Sequence, residues 1–361
     1  MTNILQFKDI VPQNIFTKSG NKTYELEIYE NKKLLIRNTK DRYYGFYTQE
    51  HVLIPNNKLC LIYSWPAGRN QHINKNLGKR YKHLIIPKEI PLDKLTLNAM
   101  GLLQAEMTKY KLRFSNVIFS NRDKNSINTI LHFFKMFGIN PEQWKWNITF
   151  NYKLKQIELS EEIENRECEA LKHWFRNTKI NSNQKDIKIF YYTGNKKYKN
   201  IRLPVTQYGC LKVYYSNIIL YQLIYNLIKN IEIRLNNTQE IIYYMQGLIA
   251  GEGNVKLTKT KSLDSVRIGC LNNNEKKIYK KLLGELDIKS KIEKNDIVIH
   301  NRNNFIKIFK YGLIRLNMTK YHQFLKAFSM FKYNASKDIN YEFLKCKNSV
   351  KDELNMIEVC V

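Results

Sequence analysis

Six cysteines, at 60, 168, 210, 270, 346 and 360, form no C-x-x-C pair and have no histidine at zinc-ligand spacing. A sequence-local zinc site and a disulfide framework are therefore excluded, and the thiols are expected to be reduced and mostly buried in an intracellular protein. No run of eighteen apolar residues occurs, so no membrane span is expected. Met1 to Asp9 lacks the apolar core of a signal peptide. Lys351-Asp352-Glu353-Leu354 spells a retention signal but is not terminal, and is discarded. There is no G-x-x-x-x-G-K-[ST], so no P-loop cradles a nucleotide here.

Acidic residues are also few, 32 against 60 lysines and arginines, which leaves a net charge of +28 and a pI near 9.7. A surplus of this size attracts a polyanion, and DNA or RNA is the commonest one. Codon bias toward Lys, Asn, Ile and Tyr would raise the charge without any ligand. Both causes are expected to contribute, because basic residues fall on strand faces expected to be exposed. At 361 residues the chain is long enough for two or three domains, each with its own core.

Two nonapeptides organise the rest. One is Met245-Gln246-Gly247-Leu248-Ile249-Ala250-Gly251-Glu252-Gly253, and its weaker echo is Ala99-Met100-Gly101-Leu102-Leu103-Gln104-Ala105-Glu106-Met107. Gly247 and Gly251 are four apart, as are Gly101 and Ala105, so each pair makes a stripe on a helix with almost no side chain. Such stripes let two helices approach backbone to backbone, a use of the spacing best documented in membranes. A single carboxylate, Glu106 or Glu252, follows each stripe where the helix should end. If the stripes pack on each other the two acids meet, and two carboxylates repel unless a hard cation such as Mg²⁺ sits between them.

Similar patterns follow both peptides. After Glu252 come two alternating segments, Asn254 to Thr258 and Ser265 to Cys270. A helix with Ile278, Leu282 and Leu286 on one face is next, then strands from Ile288 to Glu293 and Ile297 to His300 about an Asn295-Asp296 turn, then a helix from Asn303. In the first copy Lys109, Lys111 and Arg113 precede Val117-Ile118-Phe119 and a helix with Ile127, Ile130, Leu131, Phe134 and Phe137 on one face. Glu106 and Glu252 are 146 places apart, Ile130 and Ile278 148. A near-constant offset of this size predicts two similar halves around a pseudo-twofold axis.

The second nonapeptide resembles the motif of the LAGLIDADG homing endonucleases. Gly247, Leu248-Ile249, Gly251, Glu252 and Gly253 all match, and the first peptide matches at Gly101, Leu102, Leu103, Ala105 and Glu106. It departs from the family at Met107, where glycine is usual and supplies a tight turn. The resemblance covers about 91 to 335 and implies an α+β fold of two pseudo-symmetric αββαββα subdomains. Motif helices pack at their interface, and the two sheets form a saddle over DNA. The expected organisation is an N-terminal extension at 1-90, a first subdomain at 91-235 with an insertion at about 157-209, a second at 236-335, and a tail at 336-361.

Along the extension, Tyr24 to Tyr29 and Lys33 to Arg37 read as a hairpin. The run from Gly68 to His83, with Lys79 and Arg80, reads as a phosphate-contacting arm or a solvated basic loop. Asp93 is the expected N-cap of the first motif helix, which is read over 91 to 107, and Asn237 with Glu240 is expected to cap the second. The insertion holds a helix from Ser160 to Arg176 and either extends a nucleic-acid surface or merely elaborates it. Tyr321, Phe324, Leu325 and Phe328 are read as core of a last helix, about Thr319 to Tyr333.

The resemblance implies that Glu106 and Glu252 hold Mg²⁺ or Mn²⁺, helped by backbone carbonyls near Gln104 or Ala105 and Ala250 or Gly251. Metal at such a site activates water for phosphodiester hydrolysis. Asn254, Lys256, Thr258 and Arg267, with Lys109, Lys111 and Arg113, are the expected DNA contacts. A lysine from each half lines the family's site, and strand position puts Lys153 and Lys291 forward for that role. Three functions stay open. The first is a monomeric, site-specific double-strand DNA endonuclease of the homing type. The second is an intron maturase or structural RNA binder that kept the fold, and the third a DNA-binding regulator, for which no helix-turn-helix is evident. Proteins of this kind occur in organelles, archaea, bacteria and phages.

Overall fold

The computed structural model describes residues 4–6, 14–16, 23–28, 34–37, 47–54, 58–65, 80–87, 89–107, 116–153, 160–183, 187–192, 208–331 and 341–359. The elements are β1 (Ile4–Gln6), β2 (Asn14–Phe16), β3 (Thr23–Ile28), β4 (Leu34–Arg37), β5 (Tyr47–Ile54), β6 (Lys58–Trp65), β7 (Arg80–Pro87), β8 (Glu89–Pro91), α1 (Lys94–Glu106), β9 (Asn116–Asn121), α2 (Lys124–Phe134), β10 (Lys145–Lys153), α3 (Ser160–Thr178), β11 (Ile187–Tyr192) and β12 (Cys210–Ser216). There follow α4 (Ile218–Arg234), α5 (Thr238–Glu252), β13 (Gly253–Leu257), β14 (Leu263–Gly269), α6 (Asn273–Glu285), β15 (Ser290–Glu293), β16 (Asp296–Ile299), α7 (Arg302–Lys310), α8 (Met318–Ser329) and α9 (Tyr341–Val359). Helices and sheets are both substantial, as an α+β class requires. No described helix is long and apolar enough to cross a membrane.

The chain divides into two compact units. One comprises Met1–Leu92, Met107–Arg122 and Ile130–Ile233; the other comprises Asp93–Glu106, Asp123–Thr129 and Arg234–Val361. The first unit contains the pairs β1-β8 and two three-stranded sheets, β2-β3-β4 and β5-β6-β7. β3 and β4 make the hairpin expected from their alternation, with Glu25 opposite Arg37. Arg80 to His83, read as part of a basic loop, instead open strand β7, where Arg80 pairs with Trp65. Tyr81, Leu84, Ile85 and Ile86 are residue types that favour strand.

The same unit holds a four-stranded sheet in the order β11-β10-β12-β9. The insertion after β10 therefore forms a helix and returns as β11, parallel to β10, with Ile148 opposite Ile187. Its helix is anchored by two indoles, Trp146 Nε1 donating to Asn181 O at 2.8 Å and Trp174 Nε1 donating to Tyr208 O at 2.9 Å. Phe133, Phe134, Phe137 and Trp144 pack edge to face or tilted, with centroids 5.1 to 5.9 Å apart, in the core beneath the sheet.

In the second unit the sheet order is β13-β14-β16-β15. Strands β9, β12 and β10 are neighbours in that order, as are β14, β16 and β15, and β11 lies outside β10. Val255, Val266, Ile268, Ile297 and Ile299 are buried on one face. Register puts Asn254, Arg267, Val298 and Lys291 in one row on the other. The turn expected at Asn295-Asp296 lies one residue earlier, at Lys294-Asn295. The tail also contains an unforeseen helix, α9, with Cys346 and Val350 buried. It is tied to the unit by Arg315 Nη2 donating to Glu353 Oε1 at 2.5 Å and by a short hydrogen bond from Tyr321 Oη to the other oxygen of Glu353.

Candidate active site at the motif-helix ends

Helix α1 begins three residues later than its pattern suggested, because Glu89–Pro91 is a strand. Asp93 caps it, its Oδ1 accepting from Thr96 N at 2.8 Å, and Asn237 caps α5 by accepting from Gln239 N at 2.8 Å. Both helices are buried along most of their length because they pack on each other through their small residues. A Cβ added at Gly101 would stand 2.1 Å from Tyr244 O, and one at Gly247 would stand 2.1 Å from Asn98 O. One at Gly251 would lie 2.4 Å from the Cβ of Ala105 and 3.1 Å from Cγ of Glu106. The helices therefore touch by backbone, and Glu106 is brought against the residue that precedes Glu252.

Each motif helix is keyed to the unit by a glutamine. Gln104 Nε2 donates to Tyr279 Oη at 3.2 Å, and Gln246 Nε2 donates to Tyr311 O and Gly312 O at 3.3 and 3.2 Å. The carboxylate of Glu252 lies over β14, where a Cβ on Gly269 would be 2.9 Å from its Oε2. Gly253, the C-cap, has φ −70° and ψ 146°, an extended conformation open to any residue. It needs to be glycine for space, since a Cβ would sit 2.2 Å from Ile249 O. The tight turn expected to require the motif's last glycine is therefore replaced by close approach as the reason for it. Met107, at the matching place in the first motif, is buried.

The residue that completes the cluster escaped the sequence reading. Lys320, in the first turn of α8, aims its ammonium at the C-terminus of α5 and donates to Ile249 O at 3.2 Å, Ala250 O at 2.7 Å and Gly251 O at 2.5 Å. Asn317 caps α8 through Lys320 N at 3.0 Å and sends its amide to Ala250 O at 3.2 Å. Asp123 joins in from the start of α2, accepting from Ser126 N at 2.9 Å and Met318 N at 3.2 Å. Carbonyls at a helix C-terminus carry partial negative charge, and here they have gathered a cation. Burial lowers the Lys320 pKa to about 8, although Glu106, Glu252 and Asp123 all pull it upward. Burial also raises Asp123 despite its hydrogen bonds.

One sequence signal pointed here. Ile-Arg-Leu-Asn-x-Thr occurs at 233–238 and again at 314–319, each time opening a helix, and Lys320 follows the second copy where Gln239 follows the first.

Among the described residues no three His, Cys, Asp or Glu side chains are grouped to hold a metal by themselves. The donors present are two carboxylates and the carbonyls of a helix end, all hard oxygens, which suits a cation that keeps waters and shares a phosphate. The same carbonyls already attract the Lys320 ammonium, so the group fits a divalent ion. Ala105 is buried beside Gly251, whose carbonyl is the one closest to Lys320.

Other expected site residues are placed as follows. Asn254 and Lys256 are exposed on β13, and Thr258 is exposed in the following turn, bonded to Thr260 and Ser262 at 2.9 and 2.8 Å. Arg267 is half-buried on β14 and ion-paired, whereas Lys291 is exposed on the edge strand β15. Lys153 ends β10 in the other unit, and Arg80 begins β7. Lys79, Lys109, Lys111 and Arg113 lie outside the described residues.

Comparison with protein-family models finds no match, and comparison with curated proteins finds none. Among solved structures the chain is similar to mesophilic variants of the homing endonuclease I-DmoI. The identity is 16% and the TM-score 0.34, over 61% of this chain and 88% of that one. It is also similar to I-DmoI in complex with DNA and Mn, at 16% identity and a TM-score of 0.35 over 62% and 98% of the two chains. I-DmoI in complex with DNA and Ca matches at 15% and 0.30, over 61% and 88%. At this identity and score no residue role is carried over from them.

Proposed function

We propose that the chain is a divalent-metal-dependent endonuclease that makes site-specific double-strand breaks in DNA, in the manner of homing endonucleases. The observation that carries this reading is the backbone contact of α1 with α5, which brings Glu106 beside Gly251 and sets both motif glutamates around one buried ammonium. Glu106 and Glu252 would hold the cation with the Gly251 carbonyl. When bound, the ion would lower the pKa of its water and stabilise charge on the reacting phosphate. Lys320 supplies a fixed positive charge beside the same phosphate, and Asn317 and Asp123 set its position. The polar face of the sheet, with Asn254, Lys256, Arg267 and Lys291, is the surface offered to the duplex.

The test is cleavage of a randomised duplex pool with Mg²⁺ or Mn²⁺ by wild type, Glu106→Gln, Glu252→Gln and Lys320→Met. A defined double-strand break that either glutamine variant abolishes is expected. Lys320→Met should slow it roughly 100-fold with DNA affinity retained, a size usual for removing one preorganised electrostatic group. Tight DNA or RNA binding without cleavage under any condition would refute the endonuclease reading.

A further inference from the structure

The polar face of the β13-β14-β16-β15 sheet is not uniformly basic. Arg267 projects from an inner strand, and its guanidinium is spread over β16 toward the edge. Nη2 meets Glu293 Oε2 at 3.3 Å, Nη1 meets Asp296 Oδ2 at 3.5 Å, and Nε donates to Ser265 Oγ at 3.4 Å. His300 Nε2 lies 3.6 Å from the other oxygen of Glu293. Val298, opposite Arg267 in the register, is buried beneath this plane. Lys256, Lys291 and Asn254 stand exposed on the same face.

We propose that Arg267, framed by Glu293 and Asp296, reads one G·C base pair of the target and is not a phosphate contact. This rests on the reading of the chain as a duplex-DNA endonuclease. A phosphate is drawn by net positive charge, and one guanidinium between two carboxylates offers none. A base edge is neutral and patterned, and the cluster matches the pattern of a G·C pair. Guanine presents two acceptors to a guanidinium, and cytosine presents an amino donor to a carboxylate. Arginine has five N–H donors, of which the hydrogen bonds to Ser265 and Asp296 occupy two, so donors remain for guanine O6 and N7. The exposed Lys256 and Lys291 are better suited to the phosphates on either side.

The test is selection of binding sites from a randomised duplex pool in Ca²⁺, with full-length wild type, Arg267→Ala, Glu293→Gln and Lys256→Ala. Wild type should specify G·C at one position. Arg267→Ala should reduce that preference roughly ten- to hundred-fold and leave the other positions intact. Glu293→Gln keeps side-chain volume on an edge strand and should relax the same position alone. Lys256→Ala should weaken all sequences alike and reduce the salt dependence by about one ion. If Arg267→Ala behaves as Lys256→Ala is expected to, or if no position changes, the base-reading role is refuted while the endonuclease reading stands. If wild type selects no duplex at all, both fall.

Discussion

Gly247→Ala adds a single methyl group at the contact on which the site depends. Its Cβ would lie 2.1 Å from Asn98 O and 2.9 Å from Leu102 N, both backbone atoms of α1 that no rotamer change can move. Reaching the roughly 3.0 Å floor of real Cβ contacts requires the helices to part by about 1 Å at this point. Overpacking of this kind costs about 1–3 kcal/mol, here at the upper end, while alanine regains about 1 kcal/mol of helix propensity. A net loss of about 2 kcal/mol is therefore expected, read by urea denaturation followed by circular dichroism. Gly284→Ala, in α6, is the control, because a Cβ there meets nothing within 4 Å. It should stabilise by about 0.5–1 kcal/mol. Parting α1 from α5 also moves Glu106 from Glu252, and a displacement near 1 Å costs about 100-fold in rate. If Gly247→Ala is as stable as Gly284→Ala, or cleaves at the wild-type rate, close backbone packing is not what holds the two acids.

Two further outcomes follow from buried titrating groups. Burial raises the Asp123 pKa, so its folded value lies above the unfolded one. Its ionised form therefore costs stability above that folded pKa, and the cost is relieved as pH falls through it. Asp123→Asn, which keeps one oxygen for Ser126 N and loses the one that accepts from Met318 N, should flatten that part of the pH–stability curve. Asp123→Ala should lose about 1–2 kcal/mol at every pH through the lost caps, which denaturation at pH 4 to 8 would separate. Burial, and next the charge of Glu275, push the Cys270 thiol up to about 11. Only thiolate reacts, so iodoacetamide at pH 8 should label exposed Cys168 and spare Cys270, as peptide mass spectrometry would show. Equal labelling of the two would contradict the burial of Cys270.

Much of the second unit was legible because each of its signals has a local cause. Alternation over Asn254 to Thr258 and Ser265 to Cys270 gave β13 and β14, and the spacing of Ile278, Leu282 and Leu286 gave α6. Gly101, Gly247 and Gly251 could be assigned to a helix contact because nothing but a neighbouring backbone explains small residues at that spacing. Lys320 was not legible in the same way. Its role comes from where α8 starts relative to the end of α5, 69 positions earlier at Gly251, and a lysine in a helix's first turn looks like any solvated one. The pairing of Arg267 with Glu293 and Asp296 was hidden for the same reason, since it depends on strand order. Helix α9 was missed because Asn348 and Ser349 interrupt its apolar pattern, and its attachment through Glu353 is an ionic contact with Arg315 in the turn before α8.

The two glutamates end matching motifs, yet they do not stand in matching surroundings. Glu252 is exposed, lies over Gly269 and follows three carbonyls that all accept from Lys320. Glu106 is half-buried and lies against Gly251. A cation bound near Gly251 O would have to share that oxygen with Lys320 or displace it, at a helix end whose dipole favours positive charge. Both acids raise the affinity of Lys320 for its proton, against the burial that lowers it. Binding a divalent ion between the acids would remove part of that support. A bound metal and Lys320 would therefore be coupled through the same oxygens, which ties the pair of motif helices to the start of α8.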